Sequence, residues 1–188
     1  MPKPSNSTKT AEAESRKNHK EAIGYLNEIV QKDPQDYVAW AKLGSVYQVK
    51  KSYKEAVAAF TRSLEQKIDY MPAWINVGII RIAEKQFEAA IAVLLQAAEF
   101  DPNSARIYQL LGEAYLQSRQ GTLGAEALNK AISLDPLGMA EVHLQLAHLY
   151  QLAGANKMAA AEYRIFLSKV PGHPERRKFE AFIKKNPE

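Results

Sequence analysis

The chain has 188 residues, 46% apolar and 9% aromatic, with no Cys and a formal net charge of +4. It can bury a sizeable core, and it excludes disulfides, thiolate metal sites and cysteine nucleophiles while leaving the compartment open. The charge excess is local: +3 over 37–70 (6 Lys and Arg against 3 Asp and Glu), −2 over 71–104 (2 against 4) and +2 over 174–188 (5 against 3).

Met1 to Lys20 is polar and charged and lacks the hydrophobic segment of a secretory signal. Cytoplasm is the default compartment on that basis, with a periplasmic or secreted location open if a leader was removed. Residues 1–17 read as a polar, disordered or frayed tail. From residue 18, Ala22, Leu26 and Ile29 fall on one helical face that ends at Asp33-Pro34. Pro stops the helix there because it lacks an N–H and disfavours helical geometry in the residue before it.

From Tyr37 onward the sequence repeats itself about every 34 residues. Trp40, Leu43, Gly44 and Tyr47 return as Trp74, Val77, Gly78 and Arg81, then as Tyr108, Leu111, Gly112 and Tyr115. Their i, i+3, i+4, i+7 spacing places them on one face of a helix. A second stripe follows in each copy: Ala56, Phe60 and Ser63, then Ala90, Leu94 and Ala97, then Gly124, Leu128 and Ala131. Each copy is therefore two antiparallel helices, in which a small residue on one receives a large residue of the other. Asp101-Pro102 and Asp135-Pro136 close the second and third copies; the first has Ile68-Asp69 instead, with Pro72 suited to a first helical turn. The fourth copy, with His143, Leu146, Ala147, Tyr150, Ala159, Tyr163, Phe166 and Pro171, runs one residue late, which places a single insertion near Leu137 to Met139. Pro174 can begin a last helix, with Phe179, Phe182 and Ile183 on its apolar side and Arg176, Arg177, Lys184 and Lys185 wet.

These columns together resemble the tetratricopeptide repeat family over roughly residues 18–173. The resemblance implies an all-α fold, an α-α superhelix or solenoid of stacked antiparallel helix pairs, read here as a single repeat domain. Its parts are a half repeat at 18–36, full repeats at 37–70, 71–104, 105–138 and 140–173, and a capping helix over 174–188. It also implies a non-catalytic scaffold that holds a peptide segment of another protein in its concave groove. The alternatives are a self-associating assembly module using the N-terminal half repeat, or the binding part of a larger enzyme or secretion complex.

In each first helix the motif residues face the partner helix, which leaves a second stripe to line the groove. That stripe comprises Val38, Ala41, Ser45 and Gln48; then Ile75, Asn76, Ile79 and Ile82; then Arg106, Gln109, Glu113 and Leu116; then Leu144, Gln145 and His148. The run Ile75, Ile79, Ile82 either packs against neighbouring first helices or floors an apolar peptide groove. Arg106, Glu113, Asn76 and Gln109 would supply polar anchors at its edge. Some family members grip a terminal carboxylate with a Lys, Asn and Arg clamp; Asn76 and Arg106 fall in matching columns, but Ala41, Ser45 and Leu110 do not supply the rest.

Little else carries chemistry. His143 and His148 are five apart, off the i, i+4 face a helical metal site needs. Gly121-Thr122-Leu123-Gly124 reads as a relaxed turn with Thr122 as N-cap of the next helix, not as a phosphate loop. Lys50, Lys51 and Lys54 cluster without interleaved aromatics, so solvated ends explain the positive charge better than nucleic acid does. No catalytic residue, metal or cofactor is expected.

Overall fold

The computed structural model describes residues 6–187, and among these there are ten helices and no strand. They form two compact units that meet in sequence between Gln86 and Phe87, inside the second repeat, where a single repeat domain was expected.

The first unit holds α1 (Asn6–Lys32), α2 (Tyr37–Val49), α3 (Tyr53–Gln66) and α4 (Met71–Ala83). Helix α1 starts at Asn6, well ahead of residue 18 and inside the stretch read as a polar, disordered or frayed tail; the tail's first five residues lie outside the described ones. No Pro or Gly interrupts 6–17, so a helix anchored downstream by buried Leu26 and Val30 propagates upstream at little cost. Asp36 caps α2 by accepting from the Ala39 N–H at 2.8 Å, worth about 1 kcal/mol. Helices α2 and α3 interlock: a Cβ on Gly44 would lie 2.9 Å from the Phe60 ring, and Phe60 is fully buried.

The second unit runs through α5 (Phe87–Phe100), α6 (Ala105–Gln117), α7 (Gly121–Leu134), α8 (Ala140–Leu152), α9 (Asn156–Lys169) and α10 (Arg176–Lys185). Helices α6 and α7 cross through two notches. A Cβ on Gly112 would lie 2.5 Å from Leu128, and one on Gly124 would lie 2.6 Å from Leu116. Each glycine is a socket for a leucine of the facing helix, which is why the axes approach closely. The expected relaxed turn at 121–124 is in fact the first turn of α7, and the N-cap residue is Gln120, not Thr122. Gly124 belongs to the helix because its small size is needed inside the crossing.

Loops repeat as faithfully as helices. Lys51, Lys85, Arg119 and Gly154 all have φ between 59° and 74°, one residue per turn between paired helices. In each, the next N–H reaches back across the helix end: Ser52 to Tyr47, Gln86 to Arg81, Gln120 to Tyr115 and Ala155 to Tyr150, at 2.8–2.9 Å. This left-handed closure satisfies carbonyls that a helix end leaves unpaired. The aspartates of the Asp-Pro pairs also act: Asp33 and Asp101 accept from the N–H groups of Gln35 and Asn103, while Asp135 reaches Gly138 across the one-residue insertion. Indole N–H groups tie down two loops, Trp40 to the Pro34 carbonyl and Trp74 to the Ile68 carbonyl.

Candidate functional site

The first-helix stripes were the expected binding surface, and the two units present them separately. In the first unit, Val38, Gln48, Ile75, Asn76, Ile79 and Ile82 are half-buried and Ser45 is exposed. Ala41 is buried, so it does not line an open groove; its methyl is too short to reach past larger neighbours. Asn76 donates to the Pro72 carbonyl at 2.8 Å and Ser45 to the Ala41 carbonyl at 3.0 Å, which ties both polar groups to their own helices. Helix α2 touches α4 directly, in keeping with the partial cover over the isoleucine stripe.

The second unit supplies a cavity. About 440 Å³ of space opens beside α6, the start of α7 and α8, and four of the expected groove residues, Glu113, Leu116, Gln145 and His148, line it. Gln117, Arg119, Gly121, Leu149 and Leu152 complete the wall; the column pattern did not single these out as lining residues. A neighbouring cavity of about 410 Å³ lies along α7 and α8 and shares Gly121 and Leu149. The volume falls in the range of sites that enclose a small ligand or side chain. Leu152 stands at the rim, 88% exposed, whereas Leu116 and Leu149 pack against the buried Leu128, Val142 and Leu146.

Two polar details mark this wall. The Gln145 Oε1 is enclosed and takes no hydrogen bond, an arrangement that costs on the order of 1–3 kcal/mol when a donor is missing. The His148 ring sits edge-on to Tyr163 and Phe179, with centroids 5.8 and 6.3 Å away. Burial, and then the nearby Lys178 ammonium, hold His148 below the usual histidine range against an opposing pull from Glu175. Burial likewise pushes the Tyr163 phenol up, and its hydroxyl donates to Gln151 Oε1 at 2.8 Å.

Other expected groove residues lie elsewhere. Leu144 is half-buried and packs against the cluster of Tyr163, Phe166 and Phe179. Arg106 donates to Gln109 Oε1 at 2.8 Å on the open face of α6. His143 is buried against Glu162, with Nδ1 2.7 Å from Oε2, and joins α8 to α9 as a structural group. Among the described residues no helix is long and apolar enough to cross a membrane.

Comparison with known proteins adds to this geometry. Family models described as tetratricopeptide repeat match residues 12–72 and 105–136, and one described as TPR repeat matches 78–118. No curated protein matches the chain in sequence. A solved structure of MamA from Desulfovibrio magneticus RS-1 is 25% identical, covering 90% of this chain and 98% of that one with a TM-score of 0.75. PilF of Pseudomonas aeruginosa is 22% identical over 91% of this chain and 82% of its own, also at 0.75. YrrB, described as a TPR protein with an unusual peptide-binding site, is 16% identical over 87% and 85%, at 0.69. The fold is thus all-α and of the helical-repeat solenoid class, and the chain belongs to the tetratricopeptide repeat family, a family of protein-interaction scaffolds.

Proposed function

We propose that the chain is a non-catalytic scaffold that binds a peptide segment of a partner protein along its first helices, with the α6 and α8 face as the principal contact. The carrying observation is the cavity that gathers Glu113, Leu116, Gln145 and His148 from two successive first helices beside an open Leu152. Apolar walls with a few polar groups suit side-chain capture. Arg106 and Gln109 add polar contacts along α6. The fold is one on which a peptide-binding site is described, in YrrB. The test is selection of binding peptides from a random displayed library, followed by affinity measurement on Leu152→Glu and Arg106→Glu, both at exposed positions. Affinity should fall at least about tenfold, the equivalent of roughly 1.4 kcal/mol; unchanged affinity in folded variants overturns the assignment.

Self-association through α1 is a second reading, favoured by Tyr25, which is 67% exposed on a helix whose Leu26 and Val30 are buried. Sedimentation that shows only monomer at high concentration removes it.

A further inference from the structure

The cavity beside α8 marks a place where the repeat lacks one of its own side chains. Helices α3, α5 and α7 are the second helices of successive repeats, and they begin at Tyr53, Phe87 and Gly121. The first two repeats therefore place an aromatic ring at this register, and the third places nothing. The following first helix records the difference. Ile80 on α4 and Ala114 on α6 hold the same register and are 0% exposed, whereas their counterpart Leu149 on α8 is only half-buried. Leu149 is also the residue nearest to a Cβ built on Gly121, at 3.5 Å, an ordinary contact distance. Gly121 has no positive φ, so neither backbone geometry nor crowding calls for a glycine. Both cavities touch Gly121 and Leu149, and α7 packs less extensively on α8 than α5 does on α6.

Resting on the peptide-binding reading above, we propose that this gap is a side-chain pocket that takes a tyrosine from the bound partner segment, whose ring extends the aromatic register of Tyr53 and Phe87, which ends at Gly121 and is not resumed by Asn156 at the start of α9. The chain's own Tyr53 and Phe87 show which shape the register accepts. The wall can hold the phenol: the Gln145 amide lines the cavity, and since its Oε1 takes no hydrogen bond, no bond at that atom opposes a turn about the soft terminal torsion that presents either its oxygen or its NH2. A buried tyrosine hydroxyl itself needs a partner, and the Gln145 amide can accept or donate that hydrogen bond. Leu116, Leu149 and Leu152 cover the ring.

The experiment uses p-cresol, the side chain of tyrosine, and toluene, its counterpart without the hydroxyl, titrated into the full chain under NMR observation. p-Cresol should shift the Gln145 side-chain amide and the Leu116, Leu149 and Leu152 methyl signals, binding about tenfold more tightly than toluene, as expected for a satisfied against an unsatisfied buried acceptor. Gly121→Phe, which fills the gap from within, should abolish these shifts, while Gly121→Ala retains them. Absence of p-cresol shifts in the unaltered protein, equal affinity for toluene, or shifts that survive Gly121→Phe each overturn the tyrosine pocket. If library peptides still bind at α6 and α8 in that event, only the pocket is lost; if p-cresol binds as described and no peptide does, the pocket stands and the peptide-binding reading falls.

Discussion

Within the second unit, the junction of α5 with α6 and the junction of α7 with α8 are built to the same plan and differ at the residue that opens the second helix and at the residue that faces it from the next helix. At the first, Phe87 opens α5 and Ala114 is fully buried; at the second, Gly121 opens α7 and Leu149 stays half-open beside two cavities. The one-residue insertion in the loop before α8 adds to the separation, since it moves Asp135's hydrogen bond from the second residue on to the third. On the pocket proposed above, the array would carry its binding chemistry by omission. The columns that hold paired helices together are kept, and a column that joins neighbouring pairs is left unfilled.

If the third repeat is firm in itself and loose only toward the fourth, its internal interlock must carry a full core cost. Leu128 is fully buried in the notch at Gly112, so Leu128→Ala should destabilise by about 3 kcal/mol in denaturant titration. A loss near zero would mean that the notch is already slack. Phe87→Gly should make the α5 and α6 junction resemble its neighbour. It removes a half-buried ring and adds glycine entropy at a helix start, and we expect a loss of about 2 kcal/mol in denaturant titration.

Lys51 takes φ 59° where the fourth repeat has Gly154. Lys51→Gly should stabilise by about 1 kcal/mol, because a left-handed residue with a Cβ is strained and glycine is not. The smallest effect concerns pH. His148 titrates below the usual range because it is partly buried near Lys178, with Glu175 opposing. The unfolded chain therefore takes up this proton first as pH falls, so the contribution is complete above the ordinary histidine range and is lost as pH drops through the lower folded value. An NMR titration of the ring should find the lowered midpoint, and Lys178→Gln should raise it.

The sequence showed most of the fold because the repeat states each packing rule several times. Gly44 with Phe60, and Gly112 with Leu128, were legible as small and large partners on facing helices. The positive φ at Lys51, Lys85 and Arg119 was hidden, since lysine and arginine do not announce a left-handed turn as Gly154 does. The groove was legible only in part. A stripe opposite the motif residues includes positions that neighbours cover, such as Ala41, and positions half-covered by an aromatic cluster, such as Leu144. Which of them remain open depends on contacts between repeats, and a single column says little about those. The cavity itself was signalled by Gly121, but as a glycine in a run of Gly, Thr and Leu it read as a turn.

The central claim is that Gly121 leaves an aromatic place empty, and the stability of Gly121→Phe tests it most directly. A ring there should cover Leu149 and remove a glycine from a helix start, raising unfolding free energy by about 1–2 kcal/mol in denaturant titration. A loss of stability would contradict the account, because it would mean that the space beside Leu149 does not have the shape the earlier repeats fill.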